Sequence, residues 1–161
     1  MSQLHTTREL EKVMPHLSGR HQNWIKCGLI EPADRPRRPS RRGNRHSVED
    51  LVAVAIVFHL FETGLSTEEI RAVITKPDAF SDHECDDFDR EDPGRKISRW
   101  LKRGFNGSVT ISRGFDGQVE VIFHRSDISS ELPPAVGTCS LTVVDIASLH
   151  KKIAARIAEY E

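Results

Sequence analysis

Two neighbouring groups of side chains carry the clearest recognition chemistry. The first is Arg20, Gln22, Asn23 and Lys26, spread along one short stretch. Glutamine and asparagine can bond adenine bidentately, and arginine can bond guanine the same way, in the major groove of DNA. Many short surface helices carry the same residue types simply because they are solvated, and that is the competing reading. The second group is the run 35–45, with Arg35, Arg37, Arg38, Arg41, Arg42 and Arg45 interrupted by Pro36 and Pro39. Its guanidiniums suit phosphates, and one could enter a minor groove. A solvated basic linker is the alternative. A third cluster, His83-Glu84-Cys85-Asp86-Asp87, holds donors of the right type for a metal, but its spacing fits no ligand pattern, so no metal site is expected. There is no glycine-rich phosphate loop, no metal triad and no nucleophile beside a base. Neither an enzyme nor a cofactor is expected.

The elements that would position these groups follow from local signals. Residues 1–5 look like a short lead. Thr6-Thr7-Arg8-Glu9 has the spacing of a capping box, and Leu10, Val13 and Met14 share a face of the helix it opens. Pro15 stops that helix. Ser18 is placed to cap a second helix whose inner face carries His21, Trp24 and Ile25, and Gly28 suits its C-terminal end. Arg20, Gln22, Asn23 and Lys26 then fall outside. Two short helices joined by a tight turn have the size of a helix-turn-helix. The prolines bar regular helix from the arginine run, and Gly43-Asn44 can turn a small hairpin, so the run reads as a wing. Ser47 caps a third helix, with Glu49 and Asp50 in its first turn. This helix is apolar nearly all round over 51–60, which predicts a buried helix, with a buried strand as competitor. Ser66-Thr67-Glu68-Glu69 opens a fourth helix through Ile74.

Beyond Thr75 the composition shifts. Residues 76–95 form an acidic linker, and 96–104 an amphipathic helix around Trp100. Strand-like runs at 108–112 and 118–123 flank Asp116-Gly117, a strong hairpin signal. Such a hairpin needs a packing partner, either the Trp100 helix or another chain. The run 141–160 reads as the longest helix. Val143 or Val144, Ile146, Leu149, His150, Ile153, Ile157 and Tyr160 form its stripe, suited to a homodimer or to packing within the chain.

A length of 161 residues suits one ordinary domain or two small ones, and 37% apolar residues allow a modest core. The net charge of -1 averages an arginine-rich stretch and an acidic one. Three cysteines without a paired spacing argue against a disulfide framework. No signal pattern opens the chain and no apolar run is long enough to span a bilayer, so a cytoplasmic protein without membrane contact is expected.

In order along the chain, Trp24, Gly28-Leu29-Ile30-Glu31-Pro32, Arg45-His46-Ser47-Val48-Glu49-Asp50-Leu51 and Gly64-Leu65-Ser66-Thr67-Glu68-Glu69-Ile70 form a connected pattern. Together they resemble the MerR family of bacterial transcription regulators, over somewhat under half of the chain. Trp24 and His46 stand where that family carries tyrosine. An acidic stretch and a hairpin follow where the family runs into a long dimerisation helix, and the cysteines of metal-sensing members are absent. The expected fold is therefore α+β and mostly helical: a MerR-like winged helix-turn-helix over 1–75, the acidic linker over 76–95, and a hairpin with a long C-terminal helix over 96–161.

The expected function is sequence-specific DNA binding in transcription regulation. Arg20, Gln22 and Asn23 would read the major groove, and Thr7, Arg8 and Lys26 would hold phosphates. Arg37, Arg38, Arg41, Arg42 and Arg45 would form the wing, with His46 at its end. Double-stranded DNA is the expected partner, and a homodimer through the C-terminal helix is the expected assembly. An excisionase-like or architectural DNA-bending factor is the related alternative. A winged-helix protein-interaction module without DNA binding is the alternative from another class. A small-molecule effector or protein partner is left unidentified.

Overall fold

Reciprocal side-chain caps at Thr6, Ser47 and Ser66 start three of the helices where the sequence places them. The computed structural model describes residues 5–17, 19–34, 43–75, 93–102, 107–124 and 138–160. Strand β1, His5–Thr6, leads straight into helix α1, Thr7–Val13. The Thr6 backbone N–H donates to the Glu9 carboxylate at 2.6 Å, and Glu9 N–H donates to Thr6 Oγ1 at 3.3 Å. The Thr6 N–H bond, with a second from the Thr6 hydroxyl at 3.0 Å, holds the Glu9 carboxyl below its ordinary pKa. A 3-10 turn, Pro15–Leu17, separates α1 from α2, Arg20–Lys26.

The N-cap of α2 differs from expectation. Gly19 takes it with φ 79 and no side-chain cap bond, while Ser18 lies outside the described residues. Only a residue without Cβ adopts that left-handed turn cheaply. A second departure is that His5 is not part of a lead but pairs in a sheet. Strand β2, Arg45–His46, runs antiparallel to β1 with Thr6 opposite Arg45 and His5 opposite His46.

Helix α3, Val48–Glu62, is the centre of the molecule. The backbone is helical throughout, which settles the helix-or-strand question, and Leu51 to Val57 and Leu60 are all buried. Helix α4, Thr67–Thr75, opens with the expected cap, Ser66 N–H donating to Glu69 at 2.7 Å and Glu69 N–H to Ser66 Oγ at 3.3 Å. Helix α5, Pro93–Lys102, starts with proline in its first turn, where the missing N–H costs nothing. Of the expected acidic linker, 76–92 lies outside the described residues.

The hairpin forms as expected. Strands β3, Ser108–Gly114, and β4, Val119–His124, pair antiparallel with Val109 opposite Phe123 and Ile111 opposite Val121. Gly117 turns between them at φ 81. The third strand departs from expectation. β5, Thr138–Asp145, pairs antiparallel with β3, so the sheet order is β4-β3-β5. Helix α6, Ile146–Ala158, is accordingly shorter than the helix expected over 141–160. Thr142, Val143 and Val144 are β-branched and favour the pleated partner offered by β3. Asp145 then caps α6, its carboxylate accepting from Ser148 N–H at 3.0 Å.

One continuous core joins the parts that the sequence separates. Ile97 and Trp100 of α5, Val109 and Phe123 of the sheet, and Ile146 and Ile153 of α6 share an apolar cluster with α1 to α4. Trp100 meets the edge of Phe123 with ring centroids 5.3 Å apart. Arg113 of β3 donates to the Thr63 carbonyl at the end of α3 at 2.8 Å. Arg156 of α6 donates to the Val13 carbonyl at the end of α1 at 2.7 Å. Much of the expected α6 stripe works within the chain: Ile146 and Ile153 are buried, and Leu149 and Ile157 are packed on the same cluster, whereas His150 and Tyr160 are exposed. No helix among the described residues is long and apolar enough to cross a membrane.

Candidate nucleic-acid interface

The described ends of the arginine run are fixed by backbone pairing. Asp34 N–H donates to the Arg45 carbonyl at 3.1 Å, and Arg45 N–H donates to the Asp34 carbonyl at 3.0 Å. Arg45 is thus bonded to Asp34 on one side and, through β2, faces Thr6 of β1 on the other. This puts Arg45 opposite Thr6, the N-cap of α1. Arg37, Arg38, Arg41 and Arg42 lie outside the described residues.

Helix α2 divides as its sequence predicts. His21, Trp24 and Ile25 are buried. At a helical period, Asn23 and Lys26 point away from that face, and both are exposed. Arg20 and Gln22 flank them. Arg20 lies with its guanidinium 5.1 Å from the Phe61 ring centroid, a cation–π contact that orients it along the protein surface. Gln22 is half-buried, and its amide lies 3.3 Å from His21 Nε2. Thr7 is half-buried and Arg8 exposed.

Among the candidate contact residues, His46 requires a correction. Its side chain is 0% exposed, so it cannot reach a phosphate. Both ring nitrogens are without a hydrogen-bond partner. Burial pushes its pKa down from 6.5 to about 4; Asp50 opposes that shift, and His21 and His5 add to it. The ring sits within electrostatic reach of β1, α2 and α3, and acts as an apolar plug where these elements meet the base of the arginine run. Its neighbours Arg45 and Ser47 are polar, and nothing local in the sequence signals burial.

Asp50 does more than balance the helix dipole. Its carboxylate accepts from Ser47 N–H at 2.8 Å and from Ala33 N–H at 2.9 Å. Lys102 Nζ of α5 lies 3.4 Å from the same carboxylate. One buried side chain thus joins the chain before the arginine run, the start of α3 and the end of α5. The Ser47-to-Asp50 spacing signals the first bond; the other two span 17 and 52 residues and leave no local trace. Among the described residues, no group of three or more histidine, cysteine or acidic side chains is placed to hold a metal ion. No known family model matches the chain, and no curated protein matches its sequence.

Proposed function

We propose that the protein is a sequence-specific DNA-binding regulator of transcription, built as a winged helix-turn-helix. Helix α2 enters the major groove, with Asn23 reading a base edge and Arg20 and Gln22 at its margins. Lys26, Thr7 and Arg8 meet phosphates, and the arginine run acts as the wing. The observation that carries this reading is the paired backbone of Asp34 and Arg45, which anchors an arginine-rich run next to the start of α1. The exposed polar face of α2 supports it, because its inner face is committed to the core.

Selection from a random pool of duplex DNA tests the reading. A motif is expected to emerge. Asn23→Ala is expected to relax preference at one base position by about 1–3 kcal/mol, with other positions unchanged. The homodimer expected from sequence predicts two half-sites in inverted repeat. Because Ile146 and Ile153 are buried within the chain, a dimer through α6 would use the helix's exposed residues. A pool that stays random through selection contradicts the proposal.

A further inference from the structure

A cavity of about 490 Å³ opens between α1, α3 and α6. That volume lies within the range of small-molecule sites. Its floor is apolar, formed by Val13, Phe58, Leu149 and Ile153. The polar groups on its lining are all basic: His16, His59, Lys152 and Arg156. Among the described residues, no carboxylate lines it. Glu62, the acid that interacts with His59, sits one helical turn further along α3. Arg156 is held in place by its 2.7 Å bond to the Val13 carbonyl, so one edge of its guanidinium is fixed at the rim. Lys152 stands one turn before it on α6 and is exposed.

An apolar floor beneath a rim of one charge sign defines the ligand by complementarity. We propose that this cavity binds a small amphipathic monocarboxylate, with its apolar body against Phe58 and Ile153 and its carboxylate between Lys152 and Arg156. A guanidinium already anchored on one side loses little freedom on pairing with a carboxylate. A neutral ligand of the same shape would leave the Lys152 ammonium and the free edge of the Arg156 guanidinium to solvent. The inference rests on the cavity and its charges alone and does not depend on DNA binding.

Isothermal titration of the full chain tests it with decanoate, 4-phenylbutyrate and decanol. The first two separate a straight-chain source from an aromatic one, and decanol removes the charge. Saturable binding of at least one carboxylate is expected, about tenfold tighter than decanol. Lys152→Glu is expected to weaken carboxylate binding about tenfold and leave decanol unaffected. Ala155→Trp, at an exposed position of α6 that lines the cavity, is expected to fill it and abolish binding of all three. Circular dichroism of both variants checks that the fold is kept. Decanol binding as tightly as the carboxylates, insensitivity to Lys152→Glu, or no saturable binding of either carboxylate would overturn the proposal.

Discussion

Replacing Asp50 with alanine is expected to lower the free energy of unfolding by about 3 kcal/mol in urea titration. The carboxylate is fully buried and accepts from two backbone N–H groups, one at its own helix start and one 17 residues earlier. Hydrogen bonds to a charged acceptor contribute roughly 1.5–3 kcal/mol each, and a buried donor left alone adds its own penalty. Lys102 contributes much less. Its side chain is 43% exposed, so Lys102→Ala is expected to cost no more than about 1 kcal/mol. The contrast is what matters: a large loss at Asp50 with a small one at Lys102 assigns the energy to the backbone bonds. Equal losses would assign it to the ion pair instead. Asp50→Ala is also expected to loosen the base of the arginine run, because it removes the acceptor of the Ala33 N–H.

The second large effect is a loss of stability in mild acid caused by His46. Unfolded, the imidazole titrates near its ordinary 6.5; folded, burial holds it at about 4. Between those values the unfolded chain binds the extra proton, so acid favours unfolding. The contribution is fully present above pH 6.5 and is lost as the pH falls through the folded value. Its size over that window is about 3 kcal/mol. Urea titrations at pH 7 and pH 4.5 measure the slope in wild type and in His46→Phe. The variant should keep its stability at pH 7, since it removes two buried nitrogens that lack partners. It should also lose a large part of the difference between the two pH values, while His59 and His124, lowered by burial too, retain their share. Glu9 and Asp145, whose carboxyls are lowered by cap hydrogen bonds, change stability in the same direction but are unaffected by the substitution. An unchanged slope in His46→Phe would show that the acid sensitivity lies elsewhere.

What is legible in the sequence is what is local in the chain. The caps at Thr6, Ser47 and Ser66 each need only four residues, and each forms as spaced. The inner face of α2 and the all-round burial of α3 follow from helical periodicity. The turn at Asp116-Gly117 follows from the conformational freedom of one glycine. The departures have a common cause. The end of β5 reads as helix because Val143 and Val144 run on into the apolar stripe of α6, and only pairing with β3 makes them strand. His46 reads as a surface contact because its burial depends on β1, a strand about forty residues earlier in the chain. The Asp50 bonds to Ala33 and Lys102 likewise depend on proximity that arises only once the chain is folded. For the candidate interface, the outward face of α2 is legible. The anchoring of the arginine run by Asp34 is not, since two isolated backbone bonds leave no sequence signature.

DNA binding is the central claim, and the salt dependence of affinity for duplex DNA tests it most directly. Fluorescence anisotropy across a salt series gives the slope of log K against log salt. A winged helix neutralising several phosphates predicts a steep negative slope. In the variant with Arg41 and Arg42 both changed to alanine, the slope is expected to flatten by about 2, near 0.9 for each phosphate no longer neutralised. Affinity should fall for every sequence alike, because bonds to phosphate carry no base information. Binding that is absent at low salt, or whose slope is unchanged in the double variant, would contradict the account.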